Sequence, residues 1–248
     1  MVLHKSERAP RFPPGATRFL SALKRHNDRE WFRAHRAEFD ALLDAPMNAL
    51  IERLAVDLRR VLPSAVASPR VSRYRMYRDT RFSENKAPLK THVAAVFPCR
   101  PLPKNQGPGL YFEVAHGWVY AGGGLHMPAP DTLQRMREHI AQHHRTLSRI
   151  VNGRTFRRLF GEIEGDRLSG MPRGFPADHP AGELLKYRWI IAGREWPASF
   201  ASSPRFYPEL VRTFEALSPL IRFLNAPFAA RAATQPGDPL ASRRRVRA

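Results

Sequence analysis

The chain has 248 residues, 43% of them apolar and 15 of them Phe, enough to build a substantial core in one large domain or two small ones and too many for a disordered polymer. Its 41 Lys and Arg against 22 Asp and Glu give a net charge of +19, which argues against a cationic partner and suits a nucleic acid, an anionic surface or an acidic ligand. Only six of the basic residues are Lys, and Arg, Ala and Pro are abundant together, a bias that a GC-rich coding sequence also produces, so charge alone names no partner.

Residues 1–14 are polar, lack the apolar run of a signal peptide and read as a flexible lead-in to one domain over 15–228. Thr17 is placed to cap a short helix carrying Phe19, Leu20 and Leu23, and Asp28 to cap a second with Trp31, Phe32, Phe39 and Leu43. Pro46 fits the first turn of a third, whose stripe is Leu50, Ile51, Leu54 and Leu58. From Val71 the period changes to that of strands, expected at 71–77, 92–97, 110–115 and 118–121, with His116-Gly117 as a tight hairpin between the last two. Cys99, in a Pro-rich loop over 98–109, is the only cysteine, which excludes an intrachain disulfide.

Asp131 is expected to cap a long helix to about residue 151, followed by an amphipathic piece over 155–160. Short strands are expected at 167–170 and 188–192, a brief helix over 181–187 and a final helix to Leu224. Residues 229–248, ending in Ser242-Arg243-Arg244-Arg245, read as a disordered basic tail. No stretch reaches the length that spans a bilayer, so a cytoplasmic protein without membrane contact is expected. The predicted fold class is α+β: N-terminal helices, a central antiparallel or mixed sheet, and long helices packed on it.

The richest chemistry lies at 73–92. Arg75, Arg78, Arg81, Lys86 and Lys90 stand there with Tyr77 interleaved, and the nearby acids are only Asp79 and Glu84. Guanidinium forks match phosphate or carboxylate oxygens, and Asp79 is placed to orient them. Gly122, Gly123 and Gly124 follow a strand and precede a helix, where backbone N–H groups approach an anion; a wide turn is the competing reading. His92 and Glu113 are candidate proton carriers, making Asp79, His92 and Glu113 the catalytic candidates. His139 and His143 lie one turn apart, but with no Glu between them and no Cys nearby they predict a solvated face and no metal site. No cofactor is indicated.

Arg75, Tyr77, Arg78, Asp79, Arg81, Phe82, Ser83, Lys86, Pro88, Lys90 and Thr91 form a pattern that resembles the family of uncharacterised proteins called domain of unknown function 2461. Asn27-Asp28-Arg29-Glu30-Trp31-Phe32, the three glycines and the segment 172–180 resemble it too. Leu89 departs from the family's Tyr, and Asn85 from a frequent acid. The resemblance implies a single α+β domain and carries no activity with it. The expectation is therefore a cationic cleft for a small phosphorylated or carboxylated ligand. The alternative is a basic module that holds nucleic acid by its phosphates, through the basic surface and tail.

Overall fold

The N-terminal quarter is helical because its apolar residues recur every three or four positions. In the computed structural model, which describes residues 9–81 and 83–234, α1 (Gly15–Arg25) buries Ala16, Phe19, Leu20 and Leu23 on one face. Asp28 caps α2 (Arg29–Ala34), its Oδ1 accepting the Trp31 N–H at 2.7 Å. The second and third predicted helices are nearly continuous: α3 (Arg36–Phe39) widens into a π-turn over Asp40–Asp44 and runs on as α4 (Ala45–Val61), with Pro46 in its first turn. Chain entry is ordered earlier than the lead-in suggested, since Phe12 is fully buried and its N–H donates to the Ala201 carbonyl at 3.0 Å.

The strand expected at 71–77 is absent. Ser68 caps a short helix, α5 (Pro69–Ser72), accepting the Val71 N–H at 3.3 Å with Pro69 as its first residue. Beyond it the backbone pairs in strand fashion only at isolated bridges, Arg73 with Ala95 and Tyr77 with Leu89. The Arg78 N–H donates to the Pro88 carbonyl at 2.9 Å, but Pro88 has no N–H to return, so no ladder forms.

Four strands form one antiparallel sheet in the order β1 (His92–Pro98), β2 (Gly109–Ala115), β3 (Trp118–Leu125) and β4 (Ile190–Pro197). The three glycines are not a turn after β3; they are its second half, paired with β2 and β4. Gly124 adopts φ +150°, and a Cβ there would sit 2.1 Å from the Ile190 carbonyl oxygen. Backbone contact of that closeness needs glycine. β4 runs farther than the expected 188–192, and at 167–170 only the bridge Arg167 to Tyr187 is present.

The long helix α6 (Pro130–Val151), α7 (Arg154–Phe160) and α8 (Gly182–Leu185) precede α9 (Phe206–Thr234), which crosses one face of the sheet and passes the predicted end at Leu224. Asp131 is not the cap of α6, which begins at Pro130. Phe97, Phe112, Phe206 and Phe214 meet between α9 and the sheet, inside one core that is continuous from α1 to α9. Fold class is thus α+β as expected. Residues 229–234, expected to begin the disordered tail, continue α9 instead, and the rest of the basic tail with its Arg243-Arg244-Arg245 lies outside the described residues.

Candidate functional site

Strand periodicity divides the sheet into two unlike faces. Leu110, Phe112 and Val114 of β2 are fully buried in the core, so Tyr111 and Glu113 point to the opposite, open face. Register sets two rows across that face: Ala94, Glu113, Tyr120 and Glu195, then Val96, Tyr111, Gly122 and Gly193. The second row falls away to glycine, and Tyr120 leans over it: a Cβ on Gly122 or Gly193 would meet the Tyr120 hydroxyl oxygen at 2.5 or 2.2 Å. Gly123 faces the other way, toward Ile221 of α9.

Low residues on the floor and aromatic residues around it leave a cavity of about 790 Å³. Its walls include Tyr74, Lys90, Asn105, Trp118, His126 and Met127. Tyr74, Tyr111 and Tyr120 form a chain of rings, each 6.3 Å from the next between centroids.

Glu113 sits at the centre. One carboxyl oxygen accepts the Tyr111 hydroxyl at 2.6 Å and the other the Trp118 indole N–H at 2.8 Å, an acceptor-only pattern that suits an ionised carboxylate. The same carboxylate holds the Tyr111 hydroxyl protonated: burial, then the charge and hydrogen bond of Glu113, push its pKa far above the ordinary phenol value. Tyr120 is pushed up to about 12 by burial, with smaller contributions from Glu164 and Glu113. His92 Nε2 lies 3.7 Å from Glu113 Oε2. Burial lowers the His92 pKa more than Glu113 raises it, and Lys90 lowers it further.

At the cavity's edge two ammonium groups approach one ring. Lys104 Nζ is 4.0 Å and Lys90 Nζ 4.8 Å from the Tyr74 ring centroid. Lys104 is fixed by donating to the carbonyls of Arg73 at 2.8 Å and Ser72 at 3.3 Å, while Tyr74 donates its hydroxyl to Asn105 Oδ1 at 2.5 Å. Neither lysine ion-pairs with a carboxylate among the described residues. Both have lowered pKa values: Lys90 through burial, then Arg75 and Arg78, against an opposing pull from Glu113, and Lys104 through burial, then Lys90.

Asn27 shapes that end from a distance. Its amide brackets Leu89 like a strand neighbour, donating to the Leu89 carbonyl and accepting the Leu89 N–H, both at 3.0 Å. It thereby fixes the backbone next to Lys90. Leu89 itself is buried in the core, so the residue type at that position does not reach the cavity.

Of the candidates read from the sequence, Lys90, His92, Glu113, Gly123 and Gly124 line this cavity, and Gly122 lies beneath Tyr120. The arginine cleft is not gathered there. Arg75 lines a smaller cavity of about 170 Å³, which shares Tyr74 with the large one. Arg78 reaches Ser83 Oγ at 3.4 Å, and Lys86 donates to the Thr80 carbonyl at 3.1 Å. Asp79 is engaged by the Arg81 fork at 3.0 and 2.8 Å on the protein surface, and that pairing holds its carboxyl below the usual range. Tyr77 is exposed, with its ring edge against Phe32. Arg75 and Arg78 stand near enough to Lys90 to lower its pKa, yet neither lines the large cavity.

Tyr74, Lys104, Asn105, Tyr111, Trp118 and Tyr120 were not among the candidates. Alternation along β2 contains the signal for Tyr111; for Lys104, in a loop distant in sequence, no local signal exists. Elsewhere, Cys99 is buried with its thiol pushed up to about 11, unlike an activated nucleophile. His179 Nδ1 accepts the Ala181 N–H at 3.0 Å and so caps its loop. His139 packs on Phe223 as well as His143, and among the described residues no three His, Cys, Asp or Glu side chains gather as metal ligands would. No described helix is long and apolar enough to cross a membrane.

Helices on one face of an antiparallel sheet and a mainly apolar, aromatic-walled cavity with a few polar groups on the other define an α+β protein with a ligand-sized recess. Residues 15–223 match the family described as "Conserved hypothetical protein (DUF2461)", and the chain belongs to that family. No curated protein and no solved structure matches it.

Proposed function

We propose that the open-face cavity binds a small phosphorylated or carboxylated ligand, whose anionic group lies between Lys90 and Lys104 and whose body lies along the tyrosine row. The observation that carries this reading is the pair of lysine ammonium groups on Tyr74, without a carboxylate partner among the described residues, at the edge of a cavity of about 790 Å³. An anion there relieves their mutual repulsion and that of Arg75 and Arg78 behind them. Arg75, Arg78 and Arg81 then act through long-range attraction, while contact belongs to the lysines.

The neighbouring His92 and Glu113 suit proton transfer. A lowered pKa keeps His92 neutral and able to accept a proton near neutral pH, and Glu113 at 3.7 Å stabilises the imidazolium as it forms. A cytoplasmic setting fits a metabolite-sized anionic ligand and the buried free thiol of Cys99.

Thermal shift against inorganic phosphate, phosphorylated metabolites and polycarboxylates tests the reading. Wild type should gain melting temperature with at least one of them, and Lys90→Met and Lys104→Met should lose that gain while remaining folded. A gain retained by both variants and abolished by Arg78→Ala would return the site to the arginine segment.

A further inference from the structure

We propose that the exposed arginine face of α6 and α7 is a second, separate binding surface, which holds a nucleic acid by its phosphate backbone. From His139 to Gly161 the chain contains no Asp or Glu, and five arginines in that stretch, Arg145, Arg149, Arg154, Arg157 and Arg158, are exposed. Helical spacing gathers them. Arg145 and Arg149 are one turn apart on the side of α6 opposite buried Leu147, and Arg154 and Arg158 are one turn apart on the side of α7 opposite buried Phe156. The two stripes follow each other across the short link Asn152-Gly153.

These side chains are not spent on the fold. None of the five ion-pairs with a carboxylate among the described residues; Arg157 alone has polar partners of its own, Asn152 at 2.6 Å and the Gly161 carbonyl at 3.3 Å. Arg154 stands in the first turn of α7, which has no acidic residue there, and the helix dipole disfavours a cation at that end. A face that accepts repulsion from the dipole and from its own neighbours is matched by a closely spaced row of negative charges. A nucleic-acid backbone, with one charge per about 1.7 Å of duplex, is such a row. No aromatic residue is exposed among the five, so the contact reads charge and spacing, not bases.

The test is fluorescence anisotropy of the full chain with a labelled 20-nucleotide DNA duplex and a single-stranded RNA of equal length, across a salt series. Two triple variants remove the same charge: Arg149→Gln, Arg154→Gln and Arg158→Gln on the proposed face, and Arg18→Gln, Arg25→Gln and Arg33→Gln on α1 and α2. Because all six side chains are exposed, unchanged melting temperatures should confirm that both variants fold. Binding by wild type at low salt is expected, with a log–log salt slope that becomes shallower by about two to three for duplex in the first variant and hardly changes in the second. Equal losses in the two variants would reduce the effect to net charge and overturn the assignment. So would failure of wild type to hold either nucleic acid at low salt.

Discussion

The two faces of the sheet are built from the same strands and obey different rules. On the α9 side every second residue of β2 is large, apolar and fully buried: Leu110, Phe112, Val114. On the open side the intervening residues are Tyr111 and Glu113, flanked by Ala94, Val96 and the glycines Gly122 and Gly193. The first face is filled to maximise burial. The second is hollowed by small residues and edged with polar and charged ones, among them Lys90, with Lys104 reaching the Tyr74 ring beside it, both with lowered pKa values. Residues placed where they cost stability mark function more clearly than residues that add to it.

The comparison predicts a graded set of effects. Phe112→Ala, which opens a void between the sheet and α9, should cost about 3–5 kcal/mol in chemical denaturation. Gly124→Ala should cost about 1–3 kcal/mol, because alanine at φ +150° is strained and its Cβ meets the Ile190 carbonyl. Tyr111→Phe, one residue from Phe112 but on the open face, deletes the hydrogen bond to the Glu113 carboxylate and should cost about 1.5–3 kcal/mol. If Tyr111→Phe destabilised as much as Phe112→Ala, the two faces would not differ as described.

A smaller effect appears in the pH dependence of stability. The folded pKa of His92 lies below that of the unfolded chain, about 6.5. As pH falls through 6.5 the unfolded state takes up the proton first, so stability declines from there toward the folded pKa. His139, also lowered by burial, adds the same sign. Denaturation midpoints measured from pH 7.5 to 5 should therefore fall less steeply for His92→Gln than for wild type. Smallest of all, Lys90→Met should leave the melting temperature unchanged or slightly raised, since it removes a partly buried cation beside Arg75 and Arg78.

Much of the fold was legible because it rests on local periodicity. The helical stripes of α1, α4 and α9 and the alternation in β1 and β2 are properties of short windows. What escaped depended on partners distant in sequence. At 71–77 aromatic and branched residues read as a strand, but Ser68 and Pro69 start a turn of helix and Pro88 cannot return a hydrogen bond. The glycines read as a turn because their reason for being glycine, the Tyr120 ring laid over β3 and β4 and the Ile190 carbonyl of β4, exists only once the strands pair.

The candidate site divides along the same line. Lys90, His92 and Glu113 stand in or beside strands, and their alternation brings them to one face. The arginine forks seemed to converge because they are dense in sequence, yet Arg81 turns to Asp79 and Arg78 to Ser83. Lys104 reaches Tyr74 from a loop thirty residues away, and Asn27 braces Leu89 from 62 residues away. Only the folded chain joins them.

The most direct test of the account is a crystal structure with the anion that gives wild type its largest thermal shift. The account predicts that anion in the open-face cavity, within hydrogen-bond distance of Lys90 Nζ and Lys104 Nζ and next to the Tyr74 ring. An anion seated instead on Arg78 and Arg81, with the cavity holding only water, would contradict it.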